Sequence, residues 1–219
     1  ELLDQAIAIF EKTGNKTSVG RAIMNKGSTY SFQAKHQDAL DQFEKALVIF
    51  RKEGDKKQES RCLGSMAAVY TNSSQNDKAL DHYQKALAAT EGLNDFEGQL
   101  FLLSNLAVLH FRLGNYLLAL DYNQKGLKTN EKVGNMVLAG TMLSVNASIY
   151  EQLEDYPKAL ETEFKALEVQ QRIKNPLLIA KSYINISTKY FNLKEYQKAL
   201  DYQNKALEIL LESTNKTTL

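Results

Sequence analysis

The sequence has one cysteine, Cys62, two prolines and no tryptophan in 219 residues. A lone cysteine closes no intrachain disulfide and supplies no Cys-x-x-Cys pair for structural zinc or thiol exchange, so a disulfide scaffold is excluded. The scarcity of proline permits helix along most of the chain. Charge of one sign is lacking as well: 27 Lys and Arg stand against 26 Asp and Glu, a formal net charge of +1. There is no overall field to draw in nucleic acid or an anionic membrane. Apolar runs are short, the longest being five residues, as in Tyr116 to Leu120, whereas a bilayer crossing needs about 20. No membrane insertion is expected. The chain opens on Glu1 rather than Met, as an excised or processed fragment would, and a cytoplasmic setting is expected for it.

What the sequence does contain is a repeat. Ala39-Leu40 recurs as Ala79-Leu80, Ala119-Leu120, Ala159-Leu160 and Ala199-Leu200, each 40 residues after the last. Seven residues on, Ala46-Leu47 recurs as Ala86-Leu87, Gly126-Leu127, Ala166-Leu167 and Ala206-Leu207, with Ala6-Ile7 one period earlier. Within a period, His36, Ala39, Leu40, Phe43, Ala46, Leu47 and Phe50 follow the i, i+3, i+4, i+7 spacing of one buried helix face. A second helix precedes it, on the stripe Ile23, Gly27, Tyr30 and Ala34, matched by Leu63, Ala67 and Tyr70 and by Leu143, Ala147 and Tyr150. Polar turns such as Ser73-Ser74-Gln75-Asn76 and Gly114-Asn115 separate the first helix of each pair from the second. Between one pair and the next stands an Asx residue, namely Asn15, Asp55, Asp95, Asn135, Asn175 and Asn215, placed to cap the following helix. The expected organisation is a single array over 1–219. It comprises the second helix of a truncated repeat at 1–14, full repeats at 15–54, 55–94, 95–134, 135–174 and 175–214, and a stub at 215–219.

The columns Gly27, Tyr30, Ala39, Phe43 and Ala46, repeated as Ala67, Tyr70, Ala79, Tyr83 and Ala86, resemble the tetratricopeptide repeat. The resemblance covers essentially the whole chain. It departs from the usual pattern in its 40-residue period and in lacking the first-position Trp and the terminal Pro. Asn123, Glu163 and Gln203 also replace the second aromatic, beside Tyr122, Phe164 and Tyr202. These departures are similar to the longer-helix subtype of Pins and LGN scaffolds, Rap-type peptide receptors and bacterial sensor input regions. The resemblance implies an all-α fold, a right-handed superhelical solenoid of antiparallel helix pairs that binds a peptide or protein partner on its concave face. Two functions follow as expectations: a non-enzymatic binding scaffold, or a regulatory and sensory input region of a larger signalling protein.

Candidate chemistry is sparse. His36, His82 and His110 lie at three different columns without metal-ligand spacing, and no serine elbow or phosphate-cradling glycine loop occurs. No enzyme activity, cofactor or metal is expected. His110 takes the column of Tyr30 and Tyr70 and reads as a core aromatic substitute. The column Lys45, Lys85, Lys125, Lys165 and Lys205 would form a basic stripe. Asp41, Asp81, Asp121, Glu161 and Asp201 stand four residues earlier, in an acid-then-base arrangement worth about 0.2–0.5 kcal/mol per pair. The stripe neutralises itself, which argues against nucleic acid. Five Asn-x-Ser/Thr matches are explained by capping in an Asn-rich chain.

The residues that vary while the scaffold columns hold carry specificity. By the resemblance, the inner wall comes from the first helices, and its groove positions fall on Arg21, Asn25, Phe32, Arg61, Asn72, Phe101, Asn105, Phe111, Arg112, Glu151, Lys181, Asn185 and Phe191. Asn25, Asn105 and Asn185 share one column and can bond both donors and acceptors of a peptide backbone. The phenylalanines would take apolar anchors, and the arginines with Lys181 favour an acidic peptide or a carboxylate. The column Met24, Gly64, Ser104, Ser144 and Ile184 lacks the Lys of the chaperone-tail carboxylate clamp, so that ligand is not expected. Self-association through the truncated end repeats is a further expectation.

Overall fold

The structure is a computed structural model and describes residues 2–215. Most of the expected stub, 216–219, lies outside the described residues, as does the cap expected of Asn215. Eleven helices, and no strand, occur among the described residues. They are α1 (Leu2–Lys12), α2 (Lys16–Phe32), α3 (His36–Lys52), α4 (Lys56–Asn72), α5 (Asn76–Ala89), α6 (Phe96–Arg112), α7 (Tyr116–Val133), α8 (Met136–Gln152), α9 (Tyr156–Ile173), α10 (Pro176–Asn192) and α11 (Tyr196–Asn215). None of them is long and apolar enough to cross a membrane. Two compact units are distinguished, Glu1–Leu109 and His110–Leu219.

Local chemistry sets the helix ends. The side chains of Asn15, Asp55 and Asn135 accept from the backbone amides of Ser18, Gln58 and Leu138 at 3.0–3.1 Å, and Asn175 accepts from Leu177 at 3.0 Å with Pro176 in the first turn. Each satisfies an amide that the helix itself leaves unpaired. The turn inside each pair has a left-handed residue at one register: Ala34, Ser74, Gly114, Glu154 and Lys194, with φ between 57° and 75°. The expected stripe of the first helix placed Ala34 inside it. The helix instead stops at Phe32, because the chain must reverse direction through that left-handed residue.

In the first unit α2 packs on α3, α4 on α5, and α3 on α4. The small columns sit where backbones meet: Ala39, Ala46, Ala79 and Ala86 are fully buried. Phe43 lies directly on Gly27, where a Cβ would come 2.8 Å from the ring. Phe50 does the same at Gly20, at 2.7 Å. Burial of each large side chain here stabilises by roughly 1.5–3 kcal/mol. Cys62 is part of this core. Its thiol donates to the Phe43 carbonyl at 3.0 Å, and burial pushes its pKa up to about 12, so it is unreactive.

In the second unit α8 packs on α9, α9 on α10, α10 on α11, and α7 on α8. Ala119, Leu120 and Ile149 form a core with Phe111, Tyr116, Val145 and Tyr150 against it. His110 is buried and stacks on Tyr122, with centroids 5.2 Å apart and planes at 7°, as an aromatic substitute would. The column that is Phe43 and Tyr83 in the first unit is Asn123 and Glu163 here, and both remain buried. Asn123 Nδ2 is shared between the Met142 carbonyl at 2.9 Å and Asn146 Oδ1 at 2.8 Å. Polar groups have replaced an aromatic contact, and hydrogen bonds offset their loss of water.

Candidate functional site

The groove positions are carried by the first helix of each pair, α2, α4, α6, α8 and α10. Their second helices use the apolar stripe for packing, so variable side chains are left to the first helices. On the first unit, Arg21, Asn25 and Phe32 are exposed on α2, Phe32 most of all at 94%. Arg61 is half-buried and Asn72 exposed on α4, and Phe101 is partly exposed and Asn105 half-buried on α6. Arg21, Asn25 and Arg61 come together with Met24, Lys57 and Gln58 around one open cleft of about 430 Å³. Phe32 and Asn72 do not line it. Phe101 rests against α4 at Gly64, where a Cβ would stand 3.3 Å from its ring, and the Asn105 amide donates back to the Phe101 carbonyl at 2.8 Å.

Asp95, immediately before α6, shapes this cleft. Its Oδ1 lies 3.2 Å from Lys57 Nζ and 3.3 Å from Arg61 Nη2, and also accepts weakly from the Gly98 amide at 3.4 Å. Burial works against its charge, but the Lys57 hydrogen bond and the Arg61 guanidinium outweigh it and hold the carboxyl below the usual range. Lys57, Gln58 and Asp95 were absent from the sequence-based groove. Sequence alone places Asp95 only as a cap, because a contact across 34 residues has no local signal.

The second unit differs. Glu151 is engaged rather than free: it accepts from Lys189 Nζ at 3.1 Å and from Asn192 Nδ2 at 2.8 Å, joining α8 to α10. Lys189 is only 2% exposed. At the same register Val69, Leu109 and Ile149 are buried, whereas Thr29 is exposed. Asn185 donates to the buried Glu163. Phe191 and Phe111 lie against Tyr196 and Tyr116, with centroids 5.4 and 5.9 Å apart. Arg112 and Lys181 are exposed.

The acid and lysine column pairs at Asp81–Lys85, Asp121–Lys125 and Glu161–Lys165, at 2.6–2.7 Å. Asp41 and Asp201 instead accept from Gln37 and Gln197, and Lys205 sits 4.4 Å over the Tyr202 ring. Among the described residues no group of three or more His, Cys, Asp or Glu could hold a metal ion.

Comparison with known structures returns the same architecture. BtubC of P. vanneervenii superposes with a TM-score of 0.87 at 16% identity, over 97% of this chain and 89% of that one. A signal transduction ATPase with numerous domains from Pyrococcus horikoshii, which has a tetratricopeptide repeat sensor, gives 0.81 at 21% identity over 91% of this chain and 30% of that one. A Rap protein complexed with competence and sporulation factor gives 0.69 at 14% identity over 90% of this chain and 54% of that one. The chain thus spans about a third of the ATPase and half of the Rap protein. At such identities the likeness establishes the fold. Curated protein sequences gave no match. The tetratricopeptide repeat profile matches residues 21–92, 60–132 and 138–212. With matches over most of its length and helix pairs packed through the columns that define the repeat, the chain belongs to the tetratricopeptide repeat family.

Proposed function

We propose that the protein is a non-enzymatic binding module whose first-helix faces hold an extended peptide or a segment of a partner protein. The observation that carries this is the cleft on α2 and α4, around which Arg21, Asn25 and Arg61 converge. On the second unit, Asn185, Lys181 and Phe191 on α10 are the corresponding candidates. The Rap protein complexed with competence and sporulation factor is a fold relative and supports a bound partner as the role of these faces. The amides would bond peptide backbone and the exposed rings would seat apolar anchors.

A second reading, an input region that senses a partner for a larger signalling protein, is supported by the tetratricopeptide repeat sensor of the Pyrococcus horikoshii relative. Self-association would run through the end repeats; on α11 the exposed Leu200 and Leu207, whose counterparts Leu40 and Leu47 on α3 are buried, support this reading.

The test is selection of binders from a random dodecapeptide phage library on the purified chain, repeated with Asn25→Ala and Lys181→Glu after circular dichroism has verified the fold. Selected peptides should lose affinity for at least one variant. Peptides that bind both variants as tightly as the parent would sink the assignment to these faces.

A further inference from the structure

We propose that the cluster of oxygens around Glu163, inside the second unit, is a site for one monovalent alkali cation. The inference is independent of the peptide-binding reading.

Glu163 is on α9, in the column that holds Phe43 and Tyr83 in the first unit, and it is fully buried. Lys189, Lys165 and Arg172, on α9 and α10, pair instead with Glu151, Glu161 and Glu168. Among the described residues no ion pair includes Glu163. A carboxylate removed from water without a counter-charge is among the costliest groups a core can hold, which is why buried charges are paired or bind metal ions.

Oxygen dominates its surroundings. Oε1 accepts from Ser144 at 3.0 Å, Ser182 at 2.9 Å and Asn185 at 3.1 Å, and Ser182 also lies 2.5 Å from Gln170 Oε1. Oε2 is enclosed and has no protein partner. Three contacts between oxygens thus share two hydroxyl protons. Turning the Gln170 amide so that its NH2 faces Ser182 settles that contact, yet supplies nothing to Oε2 and no positive charge. Oε2 and the remaining lone pairs of the two serines form an all-oxygen donor set, the kind that holds a hard cation. One carboxylate balances one monovalent ion. A divalent ion would leave net charge in the core, since Glu151 on α8 is taken by Lys189 and Asn192. Ser144 on α8 and Asn185 on α10 are half-buried, and the ion enters past these two small polar side chains rather than through apolar core.

The experiment compares thermal unfolding at pH 7 in sodium, potassium and choline chloride at equal ionic strength, choline being too large to enter. Tm should be about 2–4 °C higher in one alkali chloride than in choline chloride, as expected of an ion that binds only the folded chain. The alkali chloride with the higher Tm names the ion. Glu163→Gln keeps the size of the side chain and should erase the difference. Glu161→Gln, which removes an exposed acid of the same helix, should leave it intact. If Glu163→Gln does not fold, Ser144→Ala is the second variant and should reduce the difference. Crystals soaked in thallium(I) acetate, which supplies a heavy monovalent ion, should show an anomalous peak beside Oε2. Equal Tm in the three salts overturns the site, as does a difference that Glu163→Gln retains. A gain in stability on acidification to pH 5 without any response to cations assigns the counter-charge to a proton and overturns it as well.

Discussion

Asn185 Nδ2 donates a 3.1 Å hydrogen bond to Glu163 Oε1, so an amide at the edge of the proposed binding face on α10 is held by a fully buried carboxylate on α9. The same oxygen accepts from Ser144 at 3.0 Å and Ser182 at 2.9 Å, whereas Oε2 is enclosed without a protein partner. Ser182 is also 2.5 Å from Gln170 Oε1. A hydroxyl has one proton, so if it goes to Glu163, Gln170 must present its NH2 group. The network thereby fixes Asn185 with one Nδ2 hydrogen committed to Glu163, leaving its oxygen and its second N–H for a ligand.

Glu163→Ala should destabilise the protein by about 2–4 kcal/mol, since three donors lose their acceptor and a cavity opens. Glu163→Gln keeps an acceptor oxygen and most of the volume and should lose less than half as much. Urea unfolding followed by circular dichroism measures both. Equal loss for the two variants would show that the hydrogen bonds contribute little.

Ala34→Gly should stabilise. Ala34 occupies a left-handed turn with φ 57°, where the same register has Gly114 at 75°. A left-handed L-residue costs about 1–2 kcal/mol, and the extra chain entropy of glycine returns about 0.5–1 kcal/mol of that. A net gain of about 0.5–1 kcal/mol is expected, read as a raised urea midpoint with an unchanged slope.

Gly27→Ala should act in the opposite direction despite the better helix propensity of alanine, worth about 1 kcal/mol. The added Cβ would stand 2.8 Å from the Phe43 ring and 3.2 Å from the Ala39 carbonyl oxygen, and Phe43 is buried. Overpacking of this kind costs about 1–3 kcal/mol. Calorimetry should show a lowered Tm, and Gly27→Ala combined with Phe43→Leu should recover part of it.

The pH dependence of stability should carry a contribution from His110. Burial lowers its pKa from the ordinary 6.5, so the unfolded chain binds its proton first. Stability from this group is complete above about pH 6.5 and is lost as pH falls from there through the lower folded value. Protonation also opposes the contact of Asn115 Nδ2 with His110 Nδ1 at 3.4 Å, where a neutral nitrogen can accept. His110→Tyr, which restores the residue of Tyr30 and Tyr70, should be less sensitive than the parent when urea midpoints at pH 7 and pH 5 are compared.

The fold was legible because its determinants are local and repeated. Ala39 and its equivalents, the capping Asn15, Asp55, Asn135 and Asn175, and the glycine before Asn135, which ends α7 at φ 74°, each act within a few residues of chain. The candidate site was legible only in part. Arg21, Asn25 and Arg61 were reachable from their register on the first helices, but Lys57 and Gln58 were not, because their place in the cleft depends on α2 lying beside α4.

Sequence by itself determined the period, the helical pairs, their caps and the small columns on which they pack, since all of these follow from spacing and residue size. Only the tertiary structure decided which polar side chains those columns enclose. The partners of Glu163 and Lys189 are visible only there, with Ser144, Ser182 and Asn185 around one and Glu151 beside the other. A buried charge is tolerable only with partners, and here the partners come from neighbouring helices 19 to 38 residues away.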